Sequence, residues 1–213
     1  MRSRLASLTI LCLALTAIPA SAQTYDNGPI NGAAGAWSIN FGYIVSDTFT
    51  GNAGQTVYGF QFGAWEFAGD ALTSLDWSIT IGENGNMAFG SGTATGSNLT
   101  DKFISTNHFG FDVDLITVTG LDVNLPVSNA YWLNLQNAVV PSGYPVYWDE
   151  NSGIGCGGAG CPSSASESAV GTIASEAFTV SFSSGGTTPE PSSLLLLASG
   201  MLGLAGMLRR RLF

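Results

Sequence analysis

The segment Leu75-Asp76-Trp77-Ser78-Ile79-Thr80-Ile81 alternates apolar and polar residues without a break. Successive side chains of a β-strand point to opposite faces, so the odd-numbered residues from Leu75 to Ile81 are predicted to face a core. The segment Tyr131-Trp132-Leu133-Asn134-Leu135-Gln136 repeats the pattern. It predicts Tyr131, Leu133 and Leu135 inside, with Asn134 and Gln136 outside. Both segments therefore indicate half-buried β-strands.

The remaining body of the chain follows the same pattern of short alternating runs separated by Gly, Asn, Ser and Asp. Strands are predicted at 43–50, 57–67, 75–81, 87–95, 109–125, 131–138, 145–148 and 177–182. Asn84-Gly85 predicts a two-residue hairpin turn, because both residues tolerate positive φ. Gly120 and Leu121 are predicted to bend or break the long 109–125 run. Eight or more short strands predict an all-β fold, an antiparallel β-sandwich of the jelly-roll type.

Charge is divided unevenly along the chain, which has 213 residues, 6 Lys+Arg and 15 Asp+Glu. Five of the basic residues are arginines at the two ends. Between Gln23 and Thr188 there are 14 acidic residues and one lysine, Lys102, a formal charge of −13. Nucleic-acid binding requires a basic surface that releases phosphate counterions, so this body excludes it. The chain also lacks the phosphate-loop motif G-x-x-x-x-G-K-[ST].

The N-terminus has the three parts of a secretory signal peptide. Arg2 and Arg4 precede the apolar run 5–18, and Pro19-Ala20-Ser21-Ala22 follows it. Cleavage is predicted between Ala22 and Gln23. The alternative is a retained anchor, but the apolar run is shorter than the roughly 20 residues of a spanning helix.

The C-terminus contains a second apolar run, Leu194 to Leu208, followed at once by Arg209, Arg210 and Arg211. Counted back to Pro191 there are 18 uncharged residues, which is near the lower limit for a single transmembrane helix. Arginines that follow a span stay on the cytoplasmic side, so the acidic body is predicted to face outward.

Pro189, Glu190 and Pro191 stand immediately before this apolar run. The triplet, the short apolar helix and the terminal arginines together resemble the PEP-CTERM sorting signal of exported proteins of Gram-negative bacteria. The resemblance implies that a membrane-embedded exosortase recognises the triplet and that the arginines act as the cytoplasmic stop. It also implies an organism that produces exopolysaccharide or biofilm, so polysaccharide is the expected partner. The alternative is a simple C-terminal anchor behind a proline-containing linker.

These features divide the chain into four parts. They are a signal peptide at 1–22, a secreted β-sandwich domain at 23–182, a Gly/Ser linker at 183–188 and the sorting signal at 189–213. Several body segments, among them Ser46-Asp47-Thr48-Phe49-Thr50, are similar to ectodomains of PEP-CTERM proteins. That similarity supports one secreted β domain and implies no particular chemistry.

Two cysteines remain in the body once Cys12 leaves with the signal peptide. Cys156 and Cys161 enclose a four-residue glycine-rich loop, which predicts a local disulfide in an oxidising compartment. A zinc site is the alternative, but only His108 could add a nitrogen ligand.

Carboxylate and amide oxygens are the ligands that Ca²⁺ prefers, and five residues are candidates for such a site. They are Asp112, Asp114, Asp149, Glu150 and Asn151, and Asp122 also offers a carboxylate. The competing interpretation is a solvated acidic loop, since no D-x-[DN]-x-[DN]-G calcium loop is present. No other cofactor is indicated, because the glycines lie in β-turn contexts and form no dinucleotide fingerprint.

Aromatic residues offer a second kind of candidate site. Trp132 is out of phase with its inward neighbours and Trp148 adjoins the acidic residues at 149–150, so both are candidates for exposed, sugar-stacking side chains. A glycosidase would need two opposed carboxylates, which Glu66, Glu83, Asp149 or Glu150 could supply. Ser/His/Asp catalysis would depend on His108 alone, with no G-x-S-x-G motif.

The sequence thus predicts an exported, non-catalytic, structural or adhesive protein of the cell surface or extracellular matrix. Before processing, its C-terminal helix would hold it in the membrane. The two alternative hypotheses are a calcium-assisted carbohydrate-binding module and a secreted polysaccharide-active enzyme.

Overall fold

The computed structural model describes residues 23–151 and 164–183, which belong to one compact unit, Ala22–Gly185. The described residues contain thirteen β-strands and one turn of 3-10 helix, Gly96–Asn98. The strands are β1 (Gln23–Asp26), β2 (Ala36–Ser38), β3 (Ile44–Gly51), β4 (Thr56–Glu66), β5 (Ser74–Thr80), β6 (Ala88–Thr95), β7 (Leu99–Thr106), β8 (Asp112–Asn124), β9 (Asn129–Val139), β10 (Tyr147–Asp149), β11 (Ala165–Glu167), β12 (Gly171–Ile173) and β13 (Phe178–Ser183).

The strands form two antiparallel sheets, which confirms the all-β prediction. In the first sheet, β4 is central: β8 and then β7 lie on one side of it. The other side of β4 is shared, because β13 pairs with Thr56 to Phe62 and β10 pairs with Ala64 and Trp65. β1 lies beyond β13 and β2 beyond β10. The second sheet has the order β12-β11-β3-β9-β5-β6.

One apolar core joins the inner faces of the two sheets. Phe60 of the first sheet meets Trp77 of the second edge-to-face at 6.5 Å, and Phe182 meets Phe49 at 6.1 Å between ring centroids. The predicted inward residues Leu75, Ile79, Tyr131, Leu133 and Leu135 are all fully buried, and Trp77 packs against the same core. The period of two therefore identified the inner faces correctly over most of both segments.

The exposure of two residues of the alternating segments differs from the prediction. Ile81 is 40% exposed, because β5 ends at Thr80 and its pairing with β6 shifts register between Ile79 and Thr80. Asn134 is only 2% exposed. It lies on the outer face as predicted from the alternation, but the connection at 81–87 covers it.

Hydrogen bonds explain how the connection at 81–87 holds Asn134. Its Oδ1 accepts from Ser46 Oγ at 2.7 Å and from the Gly85 backbone N–H at 3.1 Å. Its Nδ2 donates to Thr80 Oγ1 at 2.9 Å. Asn84 and Gly85 both have positive φ, 57° and 82°, as the turn prediction requires. The turn is part of a seven-residue connection, longer than a two-residue hairpin loop.

All eight predicted strands are present within a few residues of their predicted limits. β8 continues through Gly120, whose φ of +78° accompanies a register shift against β4, so the chain bulges there and does not break. Five further strands were not predicted: β1, β2, β7, β11 and β12. Four of them have only three or four residues, too few to show a period, and β7 is mostly exposed.

Several predictions lie outside the described residues. They concern the signal peptide at 1–22, Cys156 and Cys161, and the segment from 184 to the C-terminus with Pro189 to Pro191 and Arg209 to Arg211. Within the part of the chain that the structure describes, no helix has the length and apolar character needed to cross a membrane.

Candidate functional site

Asp149 was predicted as a calcium ligand and is a buried hydrogen-bond acceptor on the outer face of the first sheet. Its Oδ2 accepts from the backbone N–H groups of Asn31 at 3.0 Å and Gly32 at 3.1 Å, and its Oδ1 accepts from Trp65 Nε1 at 2.8 Å. Burial raises the pKa of Asp149, while these three bonds oppose that rise by favouring the ionised form. The carboxylate therefore fastens residues 31–32 to the sheet.

A glycine in β4 makes room for this arrangement. A Cβ atom on Gly63 would lie 2.6 Å from Ile30 Cγ2 and 2.8 Å from Asp149 Cβ, distances that real Cβ contacts do not reach. Gly63 also lies between the part of β4 that pairs with β13 and the part that pairs with β10, and its N–H donates to Ala177 O at 3.3 Å. The close approach of three chain segments requires glycine there.

The neighbours of Asp149 do not share its surroundings. Glu150 is half-buried and accepts from Trp37 Nε1 at 2.8 Å. Asn151 is buried and donates to Asn27 O and Ser175 Oγ, both at 2.8 Å. The three consecutive residues contact different groups, and none of them is exposed as a solvated loop would be.

Of the two aromatic candidates, Trp132 is half-buried on the second sheet. Trp148 was predicted to be exposed, which is wrong: it is fully buried. It packs edge-to-face on Phe62 and Phe178 at 5.8 and 5.5 Å, and its Nε1 donates to Ala177 O at 3.1 Å. Its register opposite Ala64 places it on the inner face, where no sugar could stack on it.

A polar core cluster, formed by Asn27, Asp47, Ser175 and Glu176, interrupts the apolar interior. Asp47 accepts four hydrogen bonds in the described residues: from Thr48 N (2.6 Å), Glu176 N (2.6 Å), Ser175 Oγ (3.1 Å) and Asn27 Nδ2 (3.2 Å). Asn27 also donates to Glu176 O at 2.7 Å. The cluster ties β3 to Asn27, directly after β1, and to Ser175 and Glu176, just before β13, which is a structural role.

Glu176 differs from the rest of the polar core cluster. Its side chain is fully buried, and neither carboxyl oxygen has a hydrogen-bond partner. Burial, followed by repulsion from Asp47, Glu150 and Asp149, raises its pKa well above the ordinary range. Burial without a hydrogen-bond donor therefore favours the neutral, protonated form of Glu176 over the ionised one.

A second acidic group, the carboxylate trio, consists of Glu66, Asp101 and Asp114. One oxygen from each of the three carboxyl groups lies within 4.8 Å of the others. Glu66 is the last residue of β4, Asp114 lies opposite Ala64 on β8, and Asp101 lies opposite Ile116 on β7. All three side chains therefore project from the inner face at one end of the first sheet. Asp112, the remaining calcium candidate, is not one of them: it accepts from Gly69 N at 3.2 Å and Thr106 Oγ1 at 3.1 Å.

Burial and repulsion dominate the electrostatics of the carboxylate trio. Glu66 is 0% exposed and Asp114 is 4% exposed, while Asp101 is half-buried. Burial and the negative charges of Asp101 and Asp114 raise the pKa of Glu66 to about 9. Burial, then repulsion from Asp101 and Asp112, raises that of Asp114 to about 7. Two unit charges this close repel by about 3.5 kcal/mol at an effective dielectric constant of about 20.

Few hydrogen bonds compensate for that repulsion. Among the described residues, neither oxygen of Glu66 nor Oδ2 of Asp114 has a partner. Asp101 accepts from the Leu72 backbone N–H at 2.6 Å, and a protonated Glu66 can donate to Asp101. The carboxylate trio is thus the described acidic cluster that could hold a metal ion.

An aromatic strip covers part of the outer face of the first sheet. Phe111 contacts Trp65 (6.0 Å), Phe67 (5.1 Å) and Tyr147 (5.6 Å) between ring centroids. The strip continues through Phe109 on Trp65 at 5.4 Å and Tyr144 on Phe67 at 4.6 Å. Phe109 and Tyr144 are 53% and 54% exposed, so both ends of the strip offer open ring surface. A surface pocket of about 300 Å³ adjoins Tyr144 and is also lined by Asn40 and Asn137.

Comparison with known proteins identifies the C-terminal segment. The family model described as the PEP-CTERM protein-sorting motif matches residues 187–211. The chain carries a PEP-CTERM sorting motif. A search of curated proteins finds no match to the chain. The PEP-CTERM motif confirms the resemblance drawn from Pro189 to Pro191, the apolar run and the arginines, and it implies an exported protein that an exosortase processes.

The PEP-CTERM motif follows β13 in sequence and leaves the ectodomain's chemistry open. Sequence reasoning grouped Asp114 with Asp112 and did not join it to Glu66 and Asp101. The 47 residues between Glu66 and Asp114 carry no signal of their contact. It also missed the aromatic strip, although Phe109, Phe111 and Val113 alternate with polar or small residues and so share one face.

Proposed function

We propose that this chain is an exported, non-catalytic protein of the cell surface or extracellular matrix, with a structural or adhesive β domain. The observation that carries the proposal is the PEP-CTERM motif at residues 187–211, a signal that an exosortase reads. The signal-peptide pattern before Gln23 supplies the export step that such sorting requires.

The charge pattern supports the orientation that this function needs. Arg209 to Arg211 would stay in the cytoplasm and the apolar run from Leu194 to Leu208 would hold the membrane before processing. The body, with its formal charge of −13, would then face outward. Processing at or near Pro189 to Pro191 would free the β domain for the surface or matrix.

Replacement of Pro189, Glu190 and Pro191 by alanine tests the sorting step in the native, exosortase-containing host. The full-length protein should accumulate in the inner membrane, because the recognition element is gone. The matched control replaces Ser192 and Ser193, next to the triplet, by alanine and should mature normally. Cell fractionation and mass measurement read the result, and normal maturation of the triplet variant would refute the proposal.

The aromatic strip is our candidate for the adhesive surface, with exopolysaccharide as the partner. Flat aromatic side chains stack on the apolar faces of sugar rings, and the exposed rings of Phe109 and Tyr144 stand at either end of a continuous strip. Asn137 beside Tyr144 is exposed, and its amide is a group that suits sugar hydroxyls. Asn40 is buried and holds the rim of the pocket by donating to the backbone carbonyl of Tyr144 at 3.1 Å.

Affinity electrophoresis in a gel that contains the host's exopolysaccharide tests this surface. The double variant Phe109→Ala/Tyr144→Ala should lose most of the retardation, roughly tenfold in apparent affinity, as expected for central aromatic contacts. Phe103→Ala is the matched control, since Phe103 is 56% exposed and lies outside the strip. Equal retardation of both variants would exclude the strip as the contact surface. Retardation with no turnover of the polysaccharide would favour binding over the enzyme alternative.

The same proposal includes the jelly-roll topology of the ectodomain, its disulfide and its mature N-terminus. The nested pairing of β4 with β8 and of β3 with β9 supports a jelly-roll-like sandwich. Export supports a disulfide between Cys156 and Cys161, and signal cleavage after Ala22 would make Gln23 the mature N-terminus. Mass spectrometry of the mature protein before and after reduction tests both.

A further inference from the structure

The carboxylate trio of Glu66, Asp101 and Asp114 has no role in the sorting or adhesive function proposed above. Its members come from three neighbouring strands, β4, β7 and β8, and one oxygen of each lies within 4.8 Å of the others. Cross-strand register alone explains how they meet, but no hydrogen-bond network explains why three acids are kept together there. Buried polar groups are normally satisfied, so such a cluster requires a reason.

The side chain of Glu66 points to a ligand. It is 0% exposed, it projects into the cluster, and neither of its oxygens accepts a hydrogen bond from the described residues, so the one bond open to it is donation of its own proton to Asp101. Oδ2 of Asp114, a residue 4% exposed, is equally unpartnered. These oxygens can accept hydrogen bonds or bind a cation, but no donor of the described residues lies within hydrogen-bond distance of them.

No protein cation is placed to supply the missing charge. Lys102 is the only lysine or arginine between Gln23 and Thr188, and as the neighbour of Asp101 in β7 it is directed to the opposite face of the sheet. The other charged groups whose fields reach the trio, Asp70 and Asp112, are also acidic. The charged groups described around the site are therefore all acidic.

We propose that Glu66, Asp101 and Asp114 bind a divalent cation, and that this cation is Ca²⁺. Carboxylate oxygens without nitrogen or sulfur donors are the ligand set of hard cations, and Ca²⁺ accepts irregular sites with 6–8 oxygens. Three carboxylates with two oxygens each supply much of that number. Asp101 is half-buried, so its side opens to solvent and lets the ion and its remaining water ligands enter.

The bound ion would hold together one end of the first sheet. Asp101 accepts from the backbone N–H of Leu72 at 2.6 Å, in the connection between β4 and β5, so its position is already coupled to that connection. A cation shared by β4, β7 and β8 would fix the three strand ends and the connection at 67–73 in one arrangement. Extracellular calcium modules bind with dissociation constants of about 10⁻⁴–10⁻³ M, which suits an exported protein.

Calorimetric titration and thermal unfolding of the full-length protein with CaCl₂ test the site. One Ca²⁺ per chain is expected, with a rise in Tm of about 3–6 °C at a tenfold excess over the dissociation constant. Glu66→Gln and Asp101→Asn should each weaken binding by at least about tenfold, because ligand charge sets calcium affinity. Asp122→Asn, an exposed acid on the same strand as Asp114, should bind as the wild type does.

A second measurement needs no variant. Mn²⁺, which takes the same oxygen ligands, should broaden the backbone amide NMR signals of Leu72, Phe103 and Asp114 first and leave that of Asn27 sharp. Absence of any Ca²⁺ effect on Tm at about 10 mM, ten times the upper dissociation constant for such modules, would overturn the proposal. So would calcium binding that Glu66→Gln leaves unchanged, or Mn²⁺ broadening centred elsewhere in the chain.

Discussion

Asp47 and Glu66 are both buried acids on the inner faces of the sandwich, yet their surroundings are opposite. Asp47 accepts four hydrogen bonds from side chains and backbone in the described residues. Glu66 accepts none and faces two more carboxylates. A buried carboxylate surrounded by donors can strengthen a fold, whereas one surrounded by other carboxylates needs a proton or a cation. The difference separates structural acids from candidate binding groups.

Among the substitutions that test this difference, removal of the Asp47 side chain should change the free energy of unfolding most. Asp47→Ala leaves the donors of Asn27, Ser175 and the Glu176 backbone facing a cavity, and we expect a loss of about 4 kcal/mol in the free energy of unfolding. Urea unfolding followed by tryptophan fluorescence measures it. Asp47→Asn, which keeps one acceptor oxygen, should lose clearly less. A cost below about 1 kcal/mol for the alanine variant would contradict a structural role.

A change in the carboxylate trio should have the opposite sign. Glu66→Gln, measured by urea unfolding at pH 7 with EDTA present, should stabilise the protein by about 2 kcal/mol. The reason is that wild-type Glu66 must retain a proton in the folded state, while it ionises freely in the unfolded chain. Asp122→Asn on the same strand serves as the control and should stay within about 0.5 kcal/mol of the wild type. Destabilisation by Glu66→Gln would show that the carboxyl group is a structural acceptor like Asp47.

The dependence of stability on pH sharpens the comparison further. The folded-state pKa values of Glu66, about 9, and Asp114, about 7, lie above their ordinary values of 4.5 and 3.8. Between the ordinary and the raised values the folded state binds more protons than the unfolded chain, so the free energy of unfolding decreases as pH rises. Without calcium, we expect a fall on the order of 1 kcal/mol per pH unit above pH 7.

Glu66→Gln should reduce this slope between pH 7 and about 9, the range in which only Glu66 of that pair still holds its proton. The pKa of Glu176 is also raised by burial, so its contribution to the pH dependence has the same sign. Urea titrations at a series of pH values in EDTA provide the measurement. A wild-type stability that rises over this range would contradict the electrostatic difference between Glu66 and Asp47.

Local patterns predicted the strands and most of their inner faces because a period of two is visible in six or seven residues. The same patterns failed at Trp148, which lies in a strand of only three residues, Tyr147–Asp149. Its neighbours Asp149 and Glu150 suggested a solvated loop, but pairing with β4 places the tryptophan in the core. The predicted exposure of Asn134 is wrong for a different reason. The connection at 81–87, which is distant in sequence, covers its side chain.

The sequence by itself determined the sorting motif, the all-β class and the two alternating segments that build the core, because each is encoded by contiguous residues. The PEP-CTERM motif is likewise a local string at 187–211. Only the tertiary structure decided which acids are partnered and which are left together. Asp47 finds its donors more than a hundred residues away at Ser175 and Glu176, and Glu66 meets Asp101 and Asp114 only through the pairing of β4, β8 and β7. Hydrogen bonding and charge repulsion act through space, so their outcome depends on strand register and not on position along the chain.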